Sequence, residues 1–224
     1  MNTTGSKSGT PGRALPPPRS VAIAGLVFSL LMIVSLGILR LALPNVPTEQ
    51  SAVIQRFGHS VVFALHLVPF AGIAFLWFLG VVRSRIAATE DPFFITVFTG
   101  SGLLFVACLF AAAALSGAVL GTTTTRPTEH VGTEVFHFTQ QACYSLLNVF
   151  AARMSGVFII STCTIALRTG IFPRWLAFCG YACALTLLLI ISNWLWIEML
   201  FPAWTILVSV DILFARRAWK ASTV

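Results

Sequence analysis

The polar residues best placed to do chemistry lie between His137 and Thr162, within a long and otherwise largely apolar stretch. At about 100° per residue, His137, Gln141, Tyr144, Asn148, Ser155 and Thr162 fall within an arc of roughly 60° on one helix. Lipid satisfies no hydrogen bonds, so such a stripe must face protein or water. It would line a solute path or polar cavity, or tie neighbouring helices together through side-chain hydrogen bonds. Arg153 lies about 22 Å of helix from Arg168 and points about 160° from the stripe. A guanidinium inside a membrane span is costly and calls for a partner. Glu198 stands near the start of the last apolar run and Asp211 near its end, while Glu134 lies outside the runs. Pro202 offers a kink that would bring Glu198 toward Arg153, which ranks Glu198 ahead of Asp211.

The four histidines form two pairs seven residues apart, His59/His66 and His130/His137, and each pair shares a helical face. Glu134-x-x-His137 has metal-ligand spacing. Glu134, His137, His59 and His66 are therefore the candidate ligands of a metal or haem, with plain core or interfacial histidines as the alternative. His66 shares its face with Phe63, Phe70 and Trp77, which suits a buried histidine. The chain has no G-x-S-x-G, no H-E-x-x-H, no phosphate-binding loop and no dinucleotide fingerprint. No catalytic residue and no cofactor are assigned. Cys108, Cys143, Cys163, Cys179 and Cys183 all sit in apolar runs, where free packing thiols are expected.

The elements that position these residues are set by six apolar runs: Val21–Leu43, Gly58–Val82, Phe93–Leu120, Ala142–Leu167, Trp175–Ile191 and Leu195–Phe214. A helix needs about 20 apolar residues to cross a bilayer core. No strand-length window alternates with period two, so a barrel is excluded. The expected fold class is all-α, a polytopic bundle of six transmembrane helices over 21–219. A cytoplasmic tail over 1–20 and a short cytoplasmic end over 220–224 flank it. If the spans alternate, Lys7, Arg13, Arg19, Arg83, Arg85, Arg168, Arg174, Arg216, Arg217 and Lys220 share one side. Arg40, Arg56 and Arg126 take the other. That asymmetry places both termini in the cytoplasm. The basic residues flank spans and form no basic face, which excludes a nucleic-acid partner.

Smaller signals refine this frame. Pro92 and Pro173 should open the third and fifth helices, and Gly170 should close the fourth. Pro-Thr-Glu occurs at Pro47–Glu49 and Pro127–Glu129, where Thr48 and Thr128 suit helix caps. Gly100, Gly102, Ala111–Ala114, Ser116, Gly117 and Gly121 make the third helix a candidate packing centre. Trp194, Trp196 and Trp204 should form one interfacial belt, and Trp77, Trp175 and Trp219 the other.

The segments PFAGIAFLWFLGVVRSR (Pro69–Arg85) and EDPFFITVFTGSGLLFVACLF (Glu90–Phe110) resemble an uncharacterised family of bacterial six-span membrane proteins. The loop RTGIFPRW (Arg168–Trp175) is similar to inner loops of many such families. The resemblance implies a multi-pass protein of the bacterial inner membrane and no particular activity. Three functions of different class follow. The first is a non-catalytic subunit, chaperone or scaffold binding a membrane partner or a second copy of itself. The second is a small carrier or channel using the fourth-helix stripe, and the third a haem or metal protein using the histidines.

Overall fold

The computed structural model describes residues 19–42, 50–86, 92–125, 133–170, 173–190 and 197–221. Almost all of the 1–20 tail lies outside these residues, as do Thr48, Thr128, His130, Trp194 and Trp196. Among the described residues the chain is helical and contains no strand. The elements are α1 Arg19–Ala42, α2 Gln50–Ile86, α3 Pro92–Thr125 and α4 Thr133–Tyr144. A π-helical segment Ser145–Ala151 leads into α5 Ala152–Thr169, followed by α6 Arg174–Leu189, a 3-10 turn Ile197–Met199 and α7 Leu200–Ala221.

Five stretches are long and apolar enough to cross a membrane: Ser20–Ile38, His59–Ser84, Pro92–Val119, Glu134–Thr169 and Ile197–Phe214. The sixth apolar helix, α6, has 16 residues. At 1.5 Å per residue it is about 24 Å long, short of a hydrocarbon core of about 30 Å. Among the described residues, five of the six expected spans thus have membrane-length helices, and the fifth, the shortest of the expected runs, is the shorter α6.

Local sequence explains the breaks. Pro92 is the first residue of α3, where its missing N–H costs nothing. Gly170 adopts φ 67° and returns its N–H to the Ala166 carbonyl at 2.9 Å, a left-handed cap that ends α5. Pro173 accepts the Leu176 N–H at 3.0 Å and opens α6. Pro202 falls in the first turn of α7, so it starts that helix and supplies no mid-span kink. Pro69 is the proline inside a helix, on the exposed side of α2.

Neighbouring helices run antiparallel, as their register shows. Ser35 donates to the Ala64 carbonyl while Phe28 packs on Phe75. Along the same lines Phe75 meets Phe105, Phe98 meets Phe158, and Thr164 bonds Tyr181. In each pair of helices one residue number rises as its partner's falls. The packing order α1–α2–α3–α5–α6–α7 closes back from α7 onto α1.

Five of these six rods send one phenylalanine to the centre: Phe28, Phe75, Phe105, Phe158 and Phe201, all buried. Phe75 and Phe201 each touch the other four; the Phe75 ring centroid is 4.8 Å from Phe28, 5.4 Å from Phe105, 5.2 Å from Phe158 and 5.7 Å from Phe201. The inclined and edge-on contacts suit the ring quadrupole. α6 contributes small residues, and Gly180 lets it press against Cys163 of α5 and Trp204 of α7.

Three expectations change here. Trp204 is 2 % exposed and belongs to the core, not to an interfacial belt. Its indole fits the space that Gly180 leaves. On α3, of the glycines named, Gly102 alone is packed, against Leu79 and Phe158. A Cβ at Gly100, Gly117 or Gly121 would meet nothing within 4 Å. The α2 face bearing Phe63, His66, Phe70 and Trp77 points outward, with Trp77 70 % exposed. His66 is no core histidine, and its Nδ1 lies 2.7 Å from the Val62 carbonyl of its own helix.

Candidate functional site

The six-residue stripe depends on an uninterrupted 100° step, and the π segment breaks that step. There the Ala152 N–H reaches back to Leu147, an i→i+5 bond. A π turn takes about 4.4 residues, so seven residues set the lower helix back by roughly a third of a turn. Before the segment His137 and Gln141 are exposed and Tyr144 half-buried; within it Asn148 is half-buried, and beyond it Ser155 and Thr162 are buried. The residues expected on one face occupy two.

Their hydrogen bonds are local. Asn148 Nδ2 donates to the Tyr144 carbonyl at 3.3 Å, Ser155 Oγ to Ala152 at 2.8 Å and Thr162 Oγ1 to Phe158 at 2.7 Å. Other residues tie the helices together. Ser35 donates to Ala64 at 2.8 Å, Ser116 meets the Cys143 thiol at 3.3 Å, and Thr164 meets Tyr181 at 2.9 Å. All five cysteines are free thiols.

Arg153 is half-buried at the start of α5, and its Nη1 donates to the Val149 carbonyl at 2.8 Å. Among the described residues it forms no ion pair with Glu198 or Asp211. Geometry explains the difference. Glu198 sits on the 3-10 turn beside a cavity whose α5 wall is Ala152 and Ser155. Arg153 is two residues from Ser155, about 200° around the helix. Asp211 is thirteen residues beyond Glu198, roughly 20 Å along the chain's rise.

That cavity brings together residues the sequence left apart. Its volume is about 30 Å³, room for about two waters. Ser155 and Glu198 supply polar groups, Leu147 and Ala151 of the π segment form one wall, and Phe105 and Phe201 connect it to the aromatic core. Sequence reasoning missed the phenylalanine centre entirely. The available signal was the count of 19 phenylalanines in 224 residues, but no spacing separates the five central ones from those facing outward.

The histidine set is not assembled. His59 and His66 lie on α2, Glu134 and His137 on α4, and all four are exposed. Among the described residues no three of His, Cys, Asp or Glu group closely enough to hold a metal ion. Among the described residues the chain is an all-helical bundle with five membrane-length helices, built around an aromatic centre with a small carboxylate-lined cavity beside it. No protein-family model, no curated protein and no solved structure matches it.

Proposed function

We propose that this chain is a six-span inner-membrane protein with both termini cytoplasmic, working as a non-catalytic subunit, chaperone or scaffold that binds a membrane partner. The observation that carries the reading is the outward side of α3. Ala107, Ala111, Ala114, Gly117, Ala118 and Gly121 are exposed there, and Gly117 and Gly121 have nothing within 4 Å of a would-be Cβ. Small residues at helical spacing let a second helix approach closely, the usual means of association where no hydrophobic force acts between helices. The phenylalanine centre supports the same reading, because interlocked rings leave little room for a solute path.

Two measurements test it. Reporter fusions after Thr124 and after Val224 should report opposite sides, periplasm and cytoplasm; the same side for both sinks the topology. Gly117→Leu with Gly121→Leu should weaken association in native membranes at least tenfold, about 1.4 kcal/mol or more, while leaving the melting temperature of the isolated chain unchanged. Association as strong as in the wild type would remove α3 as the partner face.

A second reading, a small carrier, is favoured by the cavity that joins Glu198 to Ser155 beside the π segment. π segments recur at functional sites. In a background lacking the native cysteines, Ser155→Cys should resist a water-soluble maleimide added from either side if the bundle is closed. Labelling from both sides in turn would replace the scaffold reading with the carrier.

A further inference from the structure

Arg153 belongs neither to the phenylalanine centre nor to the exposed side of α3, yet an arginine is among the costliest groups to hold inside a membrane. It stands nineteen residues from the start and sixteen from the end of the apolar stretch Glu134–Thr169, close to its middle. Phe158, five residues on, is one of the central phenylalanines. Arg153 therefore lies about 7.5 Å of helix from the level of that centre. Among the described residues, the acceptor that its guanidinium meets is the Val149 carbonyl, 2.8 Å from Nη1. A guanidinium carries five donors, and one carbonyl engages one of them. The side chain is half-buried and Phe150, less than a turn away, is 54 % exposed, so the guanidinium is within reach from outside the bundle.

We propose that Arg153 is the docking point for a transmembrane helix of another protein that carries an aspartate or glutamate at mid-membrane depth. Charge complementarity is the first argument. Ionisable groups inside a membrane pair with one another, and a carboxylate takes two parallel N–H bonds from one guanidinium. Depth is the second argument, because it rules out this chain's own carboxylates. Of the seven acidic residues, Glu49, Glu90, Asp91 and Glu129 fall in the connections between apolar runs, and Glu134 opens α4. None stands in 191–197, the segment that precedes Glu198. The Phe158 and Phe201 rings, 5.8 Å apart, set α5 and α7 at a common level, and the two helices run in the same direction. Asp211 is ten residues beyond Phe201 and Arg153 five before Phe158, which separates them by about 22 Å along the bundle. Glu198 is closer in depth, but it faces the cavity on the opposite side of α5. A second copy inserted the same way keeps both carboxylates in those places, so the matching acid comes from a different chain. A lipid phosphate lies at the headgroup level, far from the middle of a span.

The proposal rests on the partner reading above and adds the partner's chemistry. The test places the full chain in phosphatidylcholine vesicles with a labelled synthetic helix of about 20 leucine and alanine residues, long enough to span. Its central residue is glutamate, leucine or lysine, and association is read by energy transfer. The glutamate helix is expected to associate about fivefold or more tightly than the leucine helix, within the range of a strong interhelical polar contact. The lysine helix should bind no better than the leucine one. Arg153→Gln, which keeps a donor for the Val149 carbonyl, should erase the glutamate preference and leave association of the leucine helix unchanged. If that variant fails to fold, the wild-type ranking of the three helices decides alone. Equal association of all three overturns the proposal, as does a glutamate preference that survives Arg153→Gln. A preference that vanishes when phosphatidylglycerol is added to the vesicles also overturns it, by marking a lipid phosphate as the occupant. The α3 variants keep the two readings apart. If Gly117→Leu with Gly121→Leu weakens native association while the glutamate helix shows no preference, the partner reading stands and this proposal falls.

Discussion

Phe75→Ala should lower the unfolding free energy of the bundle by about 2–3 kcal/mol, taking a cavity cost of roughly 24 cal/mol per Å³ over roughly 100 Å³ removed. The ring touches four other central phenylalanines, drawn from α1, α3, α5 and α7. In a bilayer the unfolded reference is still in hydrocarbon, so little transfer energy is lost and the void dominates. Trp77, two residues along the same helix, is 70 % exposed. Trp77→Ala removes a larger side chain yet should change stability by less than about 0.5 kcal/mol. Phe75→Leu should recover more than half of the loss. Denaturation of the three variants in mixed micelles would decide it, and equal stability of Phe75→Ala and Trp77→Ala would refute the aromatic hub.

The second large effect is expected at Gly180. A Cβ there would collide with the Cys163 sulfur and lie 2.7 Å from Trp204 Nε1. Neither neighbour is the loose end of a flexible chain: both are buried, Cys163 at 1 % and Trp204 at 2 % exposed. Gly180→Leu should therefore push α6 away from α5 and α7, with a loss at or beyond the upper end of about 1–3 kcal/mol for overpacking. Gly80→Leu, where nothing lies within 4 Å, is the matched control and should be nearly neutral. Gly180→Ala with Cys163→Ala should cost less than the sum of the singles, because the smaller side chain opens space for the new methyl. Additive losses would show that Gly180 is not wedged against Cys163.

These two sites show why membrane length was legible and membrane packing was not. Long apolar runs mark helices in any bilayer, so Gly58–Val82 and Phe93–Leu120 fall inside α2 and α3, while Ala142–Leu167 runs on through α4, the π segment and α5. The same apolarity hides which side of a helix faces protein. In water, the hydrophobic stripe points inward. Between helix and lipid it carries no sign, and the Phe63–Trp77 face of α2 turned outward while Ala64, Ala71 and Phe75 turned in. The better inward marks are small and hydroxyl residues, such as Ser29, Ser35, Thr205 and Ser209, all buried.

The candidate site divides along the same line. Helix ends at Pro92, Gly170 and Pro173 were readable one residue at a time, because a fixed ring, a missing N–H or a missing Cβ acts locally. The stripe from His137 to Thr162 was an extrapolation over seven turns, and one π segment was enough to divide it. Nothing in Ser145–Ala151 announces an i→i+5 ladder, since its stability comes from the neighbours that the widened turn reaches. Likewise, the meeting of Ser155 with Glu198, 43 positions apart, and of five phenylalanines from five rods, follows from antiparallel register and close approach at glycines such as Gly25 and Gly180. Composition and run length determined that the chain is helical and has membrane-length apolar helices. Which faces meet, which charge lines the cavity and which rings form the centre were decided only by packing, because in lipid it is shape, not hydrophobicity, that distinguishes one apolar face from another.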